Sequence, residues 1–138
     1  MSKRLPGFVL SAVLGSSALA AEPVQQIGST SIQMQMDYLI FKPKTYSEDQ
    51  SKPVPLLIFL HGSGESGHDL NLVKKWGPPS IAETNPDFPF LLVSPQAPEP
   101  NGWNIPLLKA MLDDVLAKYN VDRSRVYLTG LSMGGFGA

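Results

Sequence analysis

The sequence predicts an α/β fold, three-layer α/β/α around a mostly parallel sheet, and three observations carry that prediction. Residues 56–60 (LLIFL) and 88–94 (FPFLLVS) are apolar runs without alternation, and a strand with no polar face must be covered on both sides. An amphipathic helical stretch, residues 104–119, separates the second run from a third at 126–129 (VYLT). Strands alternating with helices in this order are the signature of right-handed crossovers that build a parallel sheet.

Composition bounds what such a fold can do. The chain has 138 residues, 43% hydrophobic and 17% charged, enough for one globular domain and not two. Its formal net charge of -1 offers no basic excess for nucleic acid and no acidic tail. The absence of cysteine excludes disulfides, thiolate metal sites, a cysteine nucleophile and a lipidated N-terminal cysteine.

Residues 1–21 read as a secretory signal peptide. Lys3 and Arg4 form a positive head, residues 8–14 a short apolar core, and Ala18-Leu19-Ala20 a small-x-small cleavage site. A membrane anchor is the competing reading, but Ser11, Gly15, Ser16 and Ser17 interrupt the run, which falls short of the roughly 20 residues a span needs. Cleavage near Ala20 or Ala21 predicts a secreted or periplasmic protein with no stable membrane insertion. The mature domain, residues 22–138, then keeps nine basic against twelve acidic residues.

Within that domain, residues 22–31 are polar, and residues 32–41 read as an edge strand or a hairpin arm because Ile32, Met34 and Met36 alternate with polar residues before Tyr38. Residues 42–55 form a proline-bearing loop ahead of the 56–60 strand. Residues 69–76 predict a short helix capped by Asp69 or Asn71 and stopped by Pro78 and Pro79, with another turn at 80–84. After the 88–94 strand, residues 95–104 are a proline-rich loop at the same sheet edge as the motifs below, and Trp103 is a candidate either for the wall of a substrate cleft or for packing. In the 104–119 helix Asn104 can cap and Pro106 sits in the first turn. Leu108, Leu112, Val115, Leu116 and Tyr119 recur at three- and four-residue spacings. Asp113 and Asp114 are neighbours pointing about 100° apart, which suits a solvated face rather than a carboxylate dyad. Residues 120–125 turn the chain into the final strand.

That strand runs into Gly130-Leu131-Ser132-Met133-Gly134, which fits the G-x-S-x-G nucleophile elbow. The motif requires a sharp strand-to-helix turn that exposes the Ser132 hydroxyl. Such a turn crowds the positions two before and two after it, and glycine at Gly130 and Gly134 relieves the crowding. Gly135 leaves room for a helix start whose N–H groups face developing negative charge. The pattern alone is also met by ordinary glycine-rich turns; the apolar strand before it and a second motif upstream favour the nucleophile.

The second motif, His61-Gly62-Ser63-Gly64-Glu65-Ser66-Gly67, follows the 56–60 strand. Acyl transfer needs donors aimed at the oxygen that becomes negative, and the elbow architecture takes one from the residue after the nucleophile, Met133, and one from an H-G-rich loop. The Ser63 amide is the expected second donor, ahead of Gly62, with His61, Gly62 and Gly64 shaping the turn. A phosphate-binding glycine loop is disfavoured, because Gly67 is followed by no Lys-Ser/Thr pair and no clear dinucleotide unit. His61 and His68 are not expected as bases, since this architecture places its acid and then its histidine after the serine. His61 is expected to fix the loop by hydrogen bonding, and His68 to be solvated.

Together LLIFLHGSGESG, the proline-rich loop after FLLVSPQ, the helix ending DDVLAKYNVD and RVYLTGLSMGGFG resemble the exported esterase and predicted-peptidase branch of the α/β-hydrolase superfamily. That branch includes polyhydroxybutyrate-depolymerase-like, feruloyl-esterase-like and prolyl-oligopeptidase-like proteins. The resemblance covers about residues 56–138. It implies that the LLIFL and VYLT strands are sheet neighbours, that a Ser-Asp-His triad works without a cofactor, and that the substrate is a small-molecule ester or, as the alternative, a peptide. The sequence stops six residues after Ser132, before an acid or histidine of that order. Residues 22–138 are therefore read as the N-terminal portion of such a domain, expected to have little or no esterase activity alone and to leave a bare apolar strand edge. A non-catalytic carbohydrate- or ester-binding scaffold that keeps the elbow without the triad is the other class.

Overall fold

A computed structural model describes residues 34–138; the expectation of a signal peptide at 1–21 lies outside the described residues. Four strands form one sheet in the order β1-β3-β2-β4. These are β1 Tyr38–Phe41, β2 Val54–Leu60, β3 Leu91–Pro95 and β4 Val121–Gly130, with helices α1 Gly77–Thr84, α2 Ile105–Lys118 and α3 Met133–Gly137 between and after them. Strand β2 runs parallel to both β3 and β4, and β1 alone is antiparallel, on β3. The fold is the mixed, mostly parallel α/β arrangement that the apolar runs predict.

The unalternating runs are buried on two sides, as their composition requires. Leu56, Ile58 and Leu60 of β2, with Leu91 and Val93 of β3, pack against Met111 and Val115 of α2. Phe59, also buried, belongs to the other side of the pleat, where its ring lies so close to Gly77 at the start of α1 that a Cβ there would sit 2.8 Å from it. Helices α2 and α1 thus cover opposite faces.

Several elements depart from the sequence reading, each for a physical reason. Strand β1 begins at Tyr38 rather than at residue 32, and residues 34–37 lie outside any strand. Alternation is a local signal, but a ladder needs a partner. Tyr38 is already opposite Pro95, the last residue of β3, and only Gln96 N–H to Asp37 O at 2.9 Å extends the pairing. Strand β3 likewise starts at Leu91 rather than 88, after a turn closed by Phe88 N–H to Asn85 O.

Pro78 and Pro79 do not stop a helix; they lie in the first turn of α1, where a missing N–H costs nothing. The stretch before them is a 3-10 turn, Leu70–Lys74, capped by the Asp69 carboxylate, which accepts from Asn71 N–H at 3.0 Å. Strand β4 starts at Val121, five residues before the expected 126, through an irregularity. Val54 pairs with Val121 and Leu56 with Val126, so residues 122–125 are looped out opposite Pro55, which has no N–H to offer. Asp122 closes that loop by accepting from Ser124 N–H at 2.9 Å. The turn chemistry expected at 120–125 is therefore present, inside the strand rather than ahead of it.

Helix α2 matches its expectation, with Asn104 Oδ1 accepting from Leu107 N–H at 3.0 Å as the cap. Asp113 and Asp114 pair with Lys109 and Lys118 one turn away, on a solvated face. Among the described residues no helix is long and apolar enough to cross a membrane.

Candidate active site

The parallel pairing of β2 with β4 ends with Leu60 opposite Gly130, so the turns that leave both strands emerge side by side. Beyond the ladder Leu131 N–H still donates to Leu60 O at 3.0 Å, and then the chain reverses. Ser132 takes φ 53 and ψ -115, alone in positive φ among the described non-glycine residues. An L-residue held there is strained by about 1–3 kcal/mol, and the strain persists because the flanking turn is over-determined. Gly134 N–H bonds Leu131 O and Gly135 N–H bonds Ser132 O, each at 2.8 Å.

Gly130 and Gly134 have the steric role expected of them. A Cβ on Gly130 would overlap the Gly134 carbonyl group, and a Cβ on Gly134 would overlap the Leu60 carbonyl oxygen. Helix α3 can cross this close to the sheet only without those atoms. The result lifts Ser132 out of the packing, and its side chain is exposed. Gly135 is less demanding, with Gly130 O at 3.6 Å from a Cβ.

The His61–Gly67 loop lies against this elbow. A Cβ on Gly62 would be 3.5 Å from Leu131 O and 3.6 Å from Ser132 Cβ. Ser63 opens a 3-10 turn, Ser63–Glu65, as Met133 opens α3. The amide of the first residue in a helical turn has no acceptor within that turn, so both N–H groups remain available to a ligand. Ser63, Ser132 and Met133 line one open cleft of about 590 Å³ together with Trp103, Ile105 and Phe136. Gly64 makes no comparable demand, since a Cβ there meets nothing within 4 Å. Gly67, at φ 131, is the glycine of this loop that the backbone requires.

His61 is 1% exposed and spends both ring nitrogens. Ala97 N–H donates to Nε2 at 3.0 Å, which leaves the proton on Nδ1, and Nδ1 donates to Gly62 O at 2.6 Å. Burial pushes the imidazole pKa below its ordinary 6.5, with the Gly62 carbonyl and the Glu65 carboxylate opposing. The ring is a neutral tie between two loops. His68 is exposed and lies in a different groove, with Gln96 and Pro98. Among the described residues no side chain hydrogen-bonds the Ser132 hydroxyl, and no group of three or more His, Asp or Glu side chains is arranged to hold a metal.

Trp103 combines the two roles that its sequence left open. Its ring packs edge-on against His61, centroids 4.8 Å apart, and a Cβ on Gly137 would strike its Cδ1 at 2.6 Å, yet it also lines the cleft. Phe136, 95% exposed, and Ile105, 56% exposed, are cleft residues that the sequence reading did not single out. The only signal for Phe136 was an apolar side chain placed four residues after the serine, which a short helix turns toward the same side.

Neither a protein-family model nor a curated protein matches the chain. Among solved structures it is similar to a thermostable esterase, at 30% sequence identity and a TM-score of 0.54 over 74% of this chain. The match covers 32% of that esterase, so the chain spans about a third of its length. With the sheet order and the strand-turn-helix at Ser132, this likeness gives the described residues an esterase-like α/β fold.

Proposed function

We propose that this chain carries the nucleophile and the oxyanion-stabilising amides of an exported serine hydrolase that cleaves carboxylic esters. The observation that carries the reading is Ser132, exposed on a strained positive-φ turn in one cleft with the first-turn amides of Ser63 and Met133. In the proposed reaction the Ser132 Oγ forms a bond to the ester carbonyl carbon while its proton passes to a general base. The carbonyl electron pair moves onto oxygen, where the two N–H groups stabilise it. Collapse breaks the ester C–O bond, the departing alkoxide takes the proton back from the base and leaves as the alcohol, and the remaining acyl-serine is hydrolysed by water by the same route.

A base must still accept the Ser132 proton. His61 has both nitrogens committed, and His68 is elsewhere, so neither is proposed for the role. The acid and histidine are proposed to come from beyond the described residues in the whole protein, and no cofactor enters the scheme. The esterase similarity supports an ester rather than a peptide as substrate. Export rests on residues 1–21 alone.

Labelling of the whole protein with a fluorophosphonate tests the proposal. The expected result is one adduct on Ser132, none on Ser132→Ala, and loss of p-nitrophenyl acetate hydrolysis in the variant by about 10⁴-fold or more. Undiminished hydrolysis by Ser132→Ala would overturn it.

A further inference from the structure

The loop after β3 holds a side chain that the proposed chemistry does not use and that the sequence did not mark. Gln96 is 3% exposed. Its Nε2 donates to Glu65 O at 2.7 Å and to Asp69 O at 2.9 Å, so one amide group gathers two carbonyls from the loop that contains Ser63. Its own backbone N–H bonds Asp37 O at 2.9 Å, which anchors it to the segment leading into β1. Next to it, Ala97 accepts from Gly67 N–H at 2.9 Å and donates to His61 Nε2 at 3.0 Å. The His61–Asp69 stretch is thus tied to residues 96 and 97 near its beginning, middle and end.

Peptide planarity turns these ties into an orientation. In a trans peptide the C=O and the following N–H point in opposite directions. Gly62 O is held by His61 Nδ1 at 2.6 Å and by Glu65 N–H at 3.2 Å, so the Ser63 N–H of the same plane is turned the other way. Gln96 acts one step along. By holding Glu65 O it fixes the 65–66 peptide plane, whose Ser66 N–H then donates to Ser63 O at 3.3 Å. Ser63 is thereby pinned through the planes on both of its sides, although Gly64 beside it meets no packing restraint.

We propose that Gln96 is a positioning residue for the Ser63 amide, holding through Glu65 and Ser66 the peptide that faces the developing oxyanion. The proposal rests on the reading of Ser63 as an oxyanion donor. It assigns Gln96 no contact with substrate. An aliphatic side chain of the same length would fill the space and leave the buried Glu65 carbonyl and the part-buried Asp69 carbonyl without their donor, so the Ser63–Glu65 turn would lose its fixed orientation while the cleft walls stay in place.

The test compares the whole protein with Gln96→Met, counting active sites by fluorophosphonate labelling carried to completion so that misfolded molecules do not enter the rate. Against p-nitrophenyl acetate, kcat per labelled site is expected to fall by about 10- to 100-fold with KM changed by less than about 3-fold, since the amide acts on charge that develops after binding. A trifluoromethyl ketone, which forms a hemiketal oxyanion on the serine, is expected to lose affinity by a similar factor. A purely structural role would lower the number of labelled sites and move neither ratio. If Gln96→Met does not fold, Gln96→Asn replaces it: one methylene shorter, it reaches at most one of the two carbonyls, and a smaller loss of the same sign is expected. A kcat per labelled site within about 2-fold of the parent in whichever variant folds overturns the proposal. Hydrolysis that survives Ser132→Ala removes the serine-hydrolase reading and this inference with it, whereas a dead Ser132→Ala beside an unimpaired Gln96 variant removes the inference alone.

Discussion

At the scale of single residues, the backbone of Ser132 shows what the elbow does energetically. A serine at φ 53 and ψ -115 occupies a region that glycine reaches without strain. Ser132→Gly is therefore expected to raise the unfolding free energy by about 1 kcal/mol while removing the proposed nucleophile, the exchange of stability against function common at reactive sites. Chemical denaturation of parent and variant measures it, and a Ser132→Gly protein less stable than the parent would contradict the strain argument. His61 gives the matching prediction for pH. Its folded pKa lies below 6.5, so the unfolded chain takes up the proton first as pH falls. The contribution of the neutral ring is complete above pH 6.5 and is lost as pH drops from there toward the folded value. The denaturation midpoint is expected to fall between pH 7 and pH 5, and this part of the dependence should vanish in His61→Gln.

At the scale of elements, β4 is the strand with unfinished business. It pairs with β2 on one side, and on the other its edge is unpaired among the described residues, with Tyr127 49% and Leu128 48% exposed. Aligned apolar side chains and unpaired N–H and C=O groups make such an edge a template for another chain. The 138-residue chain by itself is expected to associate with rising concentration, and Leu128→Lys to suppress it, read by light scattering; equal association of the two would show that another surface is responsible. Element boundaries are set at this scale too. Pro78 and Pro79 carry identical local chemistry whether they end one helix or begin the next, and in the fold they begin α1, whose first residue Gly77 lies against the Phe59 ring.

At the scale of the whole molecule, the order β1-β3-β2-β4 is the arrangement that matters for function. By seating β4 directly beside β2 it brings two glycine-rich turns, about 70 residues apart in sequence, to one sheet edge. The parallel direction of β3 adds the third loop, which supplies Trp103 to the cleft and Gln96 to the support behind it. The sequence by itself determined the class of the fold, the buried run at 56–60, the strand at 126–129, the α2 helix with its Asn104 cap, and the glycine-flanked turn at Ser132, because each depends on neighbours within a few positions of the chain. The expected burial of 126–129 is not met, since β4 lies at the sheet edge with Tyr127 and Leu128 about half exposed. Tertiary structure alone decided where β1 and β3 stop, that the prolines open α1, that Trp103 both packs and lines the cleft, and that Gln96 grips the Ser63 loop. Those outcomes depend on which groups meet across the sheet, and a hydrogen bond between residues 65 and 96 leaves no periodicity in the sequence to be read.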